Sequence, residues 1–250
     1  MSRPVLRAIV LGLVFFFVGV SAAAIALAAI PDPGSAPSIY DDFNWSSTSN
    51  GFWHVNPIGA TAEIRDSMLT VKGHSIELDR RLQTDPYQTV VLAKVRGLHF
   101  HKFDIGIGAY HAGTVGLEFD DDGVKCGRGT DFGWKINSMK PWHHPPTGQW
   151  FYLKISVTNP YPTTEAYNRA ESEAEKGKKL KLVTLTCSMY DAGGRLVTSM
   201  TPRVPPPNAH YVGLDETFIR TWDSGNDYQV DWFYAGPPSG IPASVPATRT

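Results

Sequence analysis

Apolar and polar side chains alternate along the central stretch of the chain, from Phe103 to Trp134. Within it, residues 103–109 and 115–119 carry an apolar side chain at almost every second position, which is the period of a β-strand with one buried face. The acidic turn 121–123 follows, and its glycine suits a tight hairpin. A further strand begins at Val124. We therefore predict three consecutive antiparallel strands in the middle of a sheet.

The same period of two recurs on both sides of this stretch. The other predicted strands are 40–43, 52–55, 68–72, 76–82, 87–96, 150–158, 180–190, 195–200, 210–214, 218–222 and 228–234. Many short strands, together with 23 glycines and 19 prolines, are typical of an all-β domain. The expected fold is a sandwich of two antiparallel sheets.

One segment departs from the β pattern. Residues 164–176 predict a short inserted helix, with Thr164 as its N-cap and Gly177 at its C-terminal end. Its polar character favours a solvated decoration between two hairpin strands, and a docking surface is the alternative. The Pro-, Ala- and Ser-rich residues 237–250 predict a disordered tail.

The N-terminus carries an export signal. Arg3 and Arg7 precede an apolar run that extends to Ile30, and we expect this N-terminal segment, 1–30, to be helical. It is either a signal peptide with a small-residue site at 26–28 or an uncleaved membrane anchor through residues 8–30. With either interpretation the domain that follows the spacer 31–38 lies outside the cytoplasm, secreted or anchored to the membrane.

The net charge bears on the possible partners, and the two cysteines bear on disulfide formation. The formal net charge is −1 over 250 residues, which disfavours nucleic acid because its phosphates require a basic surface. Cys126 and Cys187 lie on the apolar sides of their predicted strands. In an exported protein they form a disulfide or remain buried thiols.

Four short segments resemble the concanavalin A-like lectin/glucanase superfamily, with its laminin G-like jelly rolls. They are Asp41-Asp42-Phe43, Val115-Gly116-Leu117-Glu118-Phe119, Gly148-Gln149-Trp150-Phe151 and Val230-Asp231-Trp232-Phe233. The resemblance covers residues 39–236. It implies a jelly roll whose ligands bind on the concave sheet or at its rim.

Hydrolases of this superfamily carry three acidic residues on one strand, and the chain partly matches that pattern. Glu118, Asp120 and Asp122 share a strand face, and a retaining glycosidase requires two carboxyl groups about 5–5.5 Å apart. The third position is Asp122 or Gly123, so the expected acid/base glutamate is missing. A tight turn is the favoured interpretation of residues 121–123, because Asp and Gly are the residues that such turns require. Asp121 and Asp122 also offer oxygen ligands suited to calcium, although no full ligand set is visible and no cofactor is otherwise expected.

Aromatic residues after the central strands are the other candidate contacts. Trp134 and Trp142 lie in or beside the irregular loop 137–148, and aromatic faces are common platforms for ligands with an apolar side. The candidate ligand-binding set is therefore Trp134, Trp142, Glu118 and Asp120.

These features favour an exported, non-enzymatic binding domain for a glycan or another cell-surface polymer, a ligand class that rests on fold analogy. Two alternatives stay open. One is a glycoside hydrolase that uses Glu118 and Asp120, and the other is a structural envelope protein with no small ligand.

Overall fold

The computed structural model describes most of the predicted β domain. The described residues are 25–26, 38–44, 53–82, 88–99, 102–108, 114–120, 123–129, 147–158, 160–161, 166, 169–170, 172–173, 176–204, 216–222 and 224–243.

The described chain is built of antiparallel β-strands, so the all-β class is confirmed. The strands are β1 (Ile25–Ala26), β2 (Ile39–Asp41), β3 (His54–Arg65), β4 (Met68–Arg81), β5 (Gln88–His99), β6 (Phe103–Ile107), β7 (Thr114–Asp120), β8 (Gly123–Gly129), β9 (Trp150–Thr158), β10 (Val183–Asp191), β11 (Leu196–Met200), β12 (Arg203–Val204), β13 (Glu216–Thr221) and β14 (Asn226–Gly236). A 3₁₀ turn, Pro238–Gly240, follows the last strand.

The strands form one continuous sheet, which corrects the expectation of two separate sheets. Its order is β11-β10-β9-β5-β14-β4-β13-β6-β7-β8. β2 pairs with β14, β3 with β4, β1 with β3 and β12 with β10.

The sheet is continuous because the long strand β4 changes its partner halfway along. Residues 69–73 of β4 pair with β14, whereas residues 76–81 pair with β13. The change coincides with Gly73, at φ 114°, and with a register shift at Gly59 in β3. A Cβ on Gly73 would lie 3.0 Å from the Gly59 carbonyl oxygen, so the crossing of these two backbones requires glycine. Two strands were predicted where this single bent strand lies.

The continuous sheet folds over to give two layers. The first layer contains β11, β10, β9, β5, β14 and the start of β4, and the second contains the end of β4, β13, β6, β7 and β8. The rings of Phe119 and Phe151 lie 5.9 Å apart across the layers, and those of Phe103 and Tyr228 lie 4.5 Å apart. One apolar core thus fills the space between the layers.

The predicted alternation describes the core-facing positions correctly. On β9, Phe151, Leu153, Ile155 and Val157 are all buried in this core. The same holds for Ile105 on β6, while its neighbours Asp104 and Gly106 point to the opposite face of the second layer.

The opening Asp41-Asp42-Phe43 segment owes its form to a buried carboxylate. Asp41 is fully buried and accepts hydrogen bonds from the Phe43 backbone N–H, at 2.8 Å, and from the Trp53 indole N–H, at 2.9 Å. The Trp53 ring in turn packs edge-on against Phe233, 5.0 Å away. Asp41 therefore joins the start of the domain to its closing strand, β14.

Glycines in the central strands make room for one aromatic ring. Gly106 and Gly116 are register partners on β6 and β7, and a Cβ on Gly106 would lie 2.8 Å from the Phe218 ring. Phe218 is fully buried on the outward side of the second layer. The glycine-rich sequence is thus a packing requirement of this face.

The inserted helix and the N-terminal segment are described only in part. Within the predicted helix, residues 166, 169–170 and 172–173 are helical. Ile25 and Ala26 pair with Ile64 and Glu63 of β3. The rest of the segment 1–37 lies outside the described residues, so the N-terminal helix stays a prediction.

A disulfide joins β8, at one end of the sheet, to β10, the strand next to the other end. Cys126 on β8 and Cys187 on β10 form a disulfide, with their Cα atoms 6.1 Å apart. Of the two alternatives that the sequence left open, the structure contains the bridge.

We predict that removing this bridge destabilises the domain strongly. The bridge spans 61 residues, for which the loop-entropy relation gives about 4 kcal/mol. Denaturant unfolding of Cys126→Ala/Cys187→Ala should show a loss of roughly that size, and adding reductant should then change nothing further. An equally stable double variant would show that core packing alone closes the sheet.

Candidate functional site

Glu118 lies in a line of charged side chains that crosses the outward face of the second layer. The members of this charged row occupy consecutive register positions on β4, β13, β6, β7 and β8; they are Glu77, Arg220, Asp104, Glu118 and Lys125. Each alternates with core-facing neighbours, so all five side chains extend from the same face.

The charged row is tied together by short polar contacts. Arg220 Nε lies 2.5 Å from Glu77 Oε1, and Lys125 Nζ lies 3.5 Å from Glu118 Oε1. Asp104 Oδ2 accepts a hydrogen bond from the Trp222 indole N–H at 2.7 Å. The Arg220 guanidinium also stacks 3.9 Å from the centre of the Phe218 ring.

Burial perturbs the carboxyl groups of the row. Glu118 is 4% exposed and Asp104 is 2% exposed. Burial, and then the neighbouring Asp104 charge, raise the pKa of Glu118 to about 8. Burial also raises the pKa of Glu77, although the Arg220 charge opposes this effect. The row is therefore a desolvated network and not an open binding surface.

Asp104 and Glu118 are register partners on β6 and β7, and both side chains are buried. Only the backbone of Asp120 is described, so the Glu118–Asp120 pair stays a prediction.

The remaining predicted site residues lie outside the described residues: Asp121, Asp122, Trp134 and Trp142. Calcium at the first two therefore also stays a prediction. Within the described part of the chain, no cluster of three or more His, Cys, Asp or Glu residues could hold a metal ion. Over those same residues, no helix has the length and apolar character to span a membrane.

An open groove lies on the opposite side of the molecule, on the outward face of the first layer. Its volume is about 260 Å³, and its lining comes from β3, the hairpin that follows, β4, β5 and β14: Thr61, Glu63, Arg65, Asp66, Thr70, Lys72, Leu98, Asp227 and Gln229. The hairpin between β3 and β4 shapes one end, because Asp66 and Ser67 both have positive φ, as a type I′ turn requires.

Three carboxylate side chains line this groove: Glu63, Asp66 and Asp227. Asp227 Oδ2 is 3.1 Å from Lys72 Nζ, whereas Asp227 Oδ1 is buried and does not open onto the groove. Ionised carboxylates only accept hydrogen bonds, so the groove favours a ligand rich in hydrogen-bond donors.

A half-buried tryptophan adjoins the groove. The Arg96 guanidinium lies 4.6 Å from the centre of the Trp150 ring, and Lys94 Nζ lies 5.1 Å from it. Arg96 donates two hydrogen bonds to the Gln229 side-chain oxygen, and Lys94 pairs with Asp231 at 2.6 Å. Gln229 therefore connects the groove to this aromatic and cationic cluster.

No sequence pattern marks the groove. Its polar residues are the hairpin residue Asp66 and solvent-facing positions of β3, β4 and β14, and each strand shows them only as ordinary alternation. The groove exists because β14 pairs with both β4 and β5, and these pairings join segments more than a hundred residues apart in the chain.

Comparison with known proteins supports the fold and leaves the function open. No protein-family model and no curated protein matches the sequence. A protein of unknown function from Shewanella oneidensis MR-1 superposes with a TM-score of 0.51 at 11% identity, covering 94% of this chain and 93% of that one.

Two further solved structures are more distantly similar. The exoplasmic/lumenal domain of VIP36 in its metal-free form gives a TM-score of 0.49 at 6% identity, over 80% of this chain and 91% of that one. A glycosyl hydrolase family 16 protein from Mycobacterium smegmatis gives 0.40 at 10% identity, over 79% and 98%. At such values we infer no shared activity.

We predict that the buried ion pair of the row is needed for stability. Arg220→Met should cost about 3–5 kcal/mol in the free energy of unfolding, because it leaves the buried Glu77 carboxylate without its partner. Replacing both residues, as Glu77→Leu/Arg220→Met, should recover at least half of that loss.

The control is Lys178→Met, which breaks an exposed pair with Glu173 and should cost less than about 1 kcal/mol. Urea denaturation gives all three values. A cost for Arg220→Met no larger than that of the control would refute a structural role for the row.

Proposed function

We propose that this chain is an exported, non-enzymatic domain of the concanavalin A-like jelly-roll type and that it binds a glycan in the groove of the first layer. The observation that carries the proposal is the open groove lined by the carboxylates of Glu63, Asp66 and Asp227, whose acceptor oxygens favour a ligand with many hydrogen-bond donors. Sugar hydroxyls supply donors of this kind.

The lining of the groove suits a ligand with many hydroxyl groups. Carboxylates, an amide, two hydroxyls and two cations surround a volume that an extended sugar chain can enter. The charges are mixed in sign, which disfavours a strongly charged polymer of either sign. The exposed side chain of Leu98, at 48%, offers an apolar contact for a sugar ring.

Export is supported by two independent features. Arg3 and Arg7 precede the apolar run in the sequence, and disulfides such as Cys126–Cys187 persist in oxidising compartments outside the cytosol. We propose secretion or membrane tethering, with the β domain outside.

The closest alternative is glycoside hydrolysis at Glu118. The raised pKa of Glu118, about 8, keeps this carboxyl protonated at neutral pH, as a general acid requires. Its burial, at 4% exposed, favours the binding function instead. Release of reducing sugar that disappears in Glu118→Gln would establish the hydrolase.

We predict that the groove carboxylates determine affinity. On an array of soluble polysaccharides and oligosaccharides, the chain should bind at least one glycan. Asp227→Asn and Glu63→Gln should each weaken that binding by roughly tenfold to a hundredfold, since hydrogen bonds to charged groups contribute about 1.5–3 kcal/mol.

Two control variants test the location of the site. Glu118→Gln, in the opposite layer, and Glu173→Gln, which removes the exposed ion pair with Lys178, should leave affinity within about twofold, because neither residue touches the groove. Binding that is insensitive to both groove variants would place the site elsewhere. An array with no bound glycan would favour the structural envelope protein.

A further inference from the structure

Two buried carboxyl groups face each other on neighbouring strands. Asp104 of β6 and Glu118 of β7 are register partners, and they are 2% and 4% exposed. Residues directly opposite each other on one face of an antiparallel pair have Cβ atoms about 4.5–5.5 Å apart. Two like charges held this close in a desolvated place repel each other, so one of the two carboxyl groups is favoured in its protonated form.

The charges around the pair balance when it holds one proton. Lys125 of β8 lies beside Glu118, and Arg220 of β13 pairs with Glu77 of β4. The Trp222 N–H is bound to Asp104, and the uncharged phenol of Tyr228 approaches from β14, where burial and the Asp104 charge raise its pKa. With one proton on the pair, the charged row is neutral; without it, the row carries an excess buried negative charge.

We propose that Asp104 and Glu118 form a proton-binding pair that couples the stability of the second layer to pH. When the pair loses its proton, two adjacent carboxylates repel each other in a desolvated face, and the β6–β7–β8 part of the sheet weakens. The domain is therefore most stable in mildly acidic surroundings. This inference does not depend on ligand binding in the groove.

The direction of the effect follows from proton linkage. The pKa of Glu118 is raised from 4.5 to about 8 in the folded chain. The stability contributed by its proton is fully present below about pH 4.5 and is lost progressively as pH rises to about 8, because the unfolded chain releases the proton first. Linkage of one proton changes the unfolding constant by up to about tenfold per pH unit.

The test is denaturant unfolding of the full chain at several values between about pH 5.5 and about pH 8. The parent's unfolding constant should rise at least about tenfold over this range. Glu118→Gln should show a clearly smaller rise, because the amide does not ionise and leaves no second carboxylate beside Asp104. The exposed variant Glu173→Gln should follow the parent.

A second variant covers the case in which Glu118→Gln does not fold. Asp104→Asn gives Glu118 an uncharged donor as neighbour and should also flatten the pH dependence. Amide hydrogen exchange, compared with the parent at the same pH near 8, should show more protection in β7 and β8 of whichever variant folds. A parent whose stability is unchanged over the range, or folded variants that keep the parent's full dependence, would overturn the proposal.

Discussion

A sheet with one apolar face must cover that face, and this chain does so by folding a single continuous sheet over itself. The bend in β4 at Gly73 allows the change of partner from β14 to β13. The aromatic contacts between β7 and β9 and between β6 and β14 then fill the interior. The Cys126–Cys187 bridge joins β8, at one end of the sheet path, to β10, beside the other.

Folding over leaves two outward faces with different properties. On the second layer, Phe218 fills a hollow above glycines and the charged row is buried beside it. On the first layer, the bent β4 and the hairpin at Asp66 leave an open groove between β3 and β14. The charged groups that resemble a catalytic strand thus lie buried on the second layer. The polar groups of the groove, which no sequence pattern marks, lie on the first layer.

The buried row has an energetic cost that its pairing offsets. Transferring a charged group from water into a protein interior costs several kcal/mol, and ion pairs recover this only with good geometry. Arg220 meets the condition by contacting both the Glu77 carboxylate and the Phe218 ring. For Glu118, burial raises the pKa, and the protonated form avoids the cost of a buried charge.

Sequence alone predicted the strands well and the site poorly, for identifiable reasons. Alternation is a local property, so β9 was predicted with its observed limits and Phe151 with its observed orientation. The bend in β4 depends on the approach of Gly59 to Gly73, which no local pattern reveals. Likewise, Glu118 and Asp227 both look like polar strand positions, and only the pairing of distant strands decides which one is buried and which one lines an opening. The sequence could not decide between a disulfide and two free thiols, because the bridge depends on the distance between the Cα atoms of Cys126 on β8 and Cys187 on β10.

We propose that the ligand binds on the first layer and not on the face that carries Glu118. The most direct measurement is NMR titration of the isotopically labelled chain with a glycan selected on the array. We expect amide shifts to concentrate on β3, β4, β5 and β14, around Glu63, Lys72 and Asp227, with little change on β6, β7 and β8. Shifts centred on Glu118 and Asp104 would contradict the claim and would favour a site on the second layer.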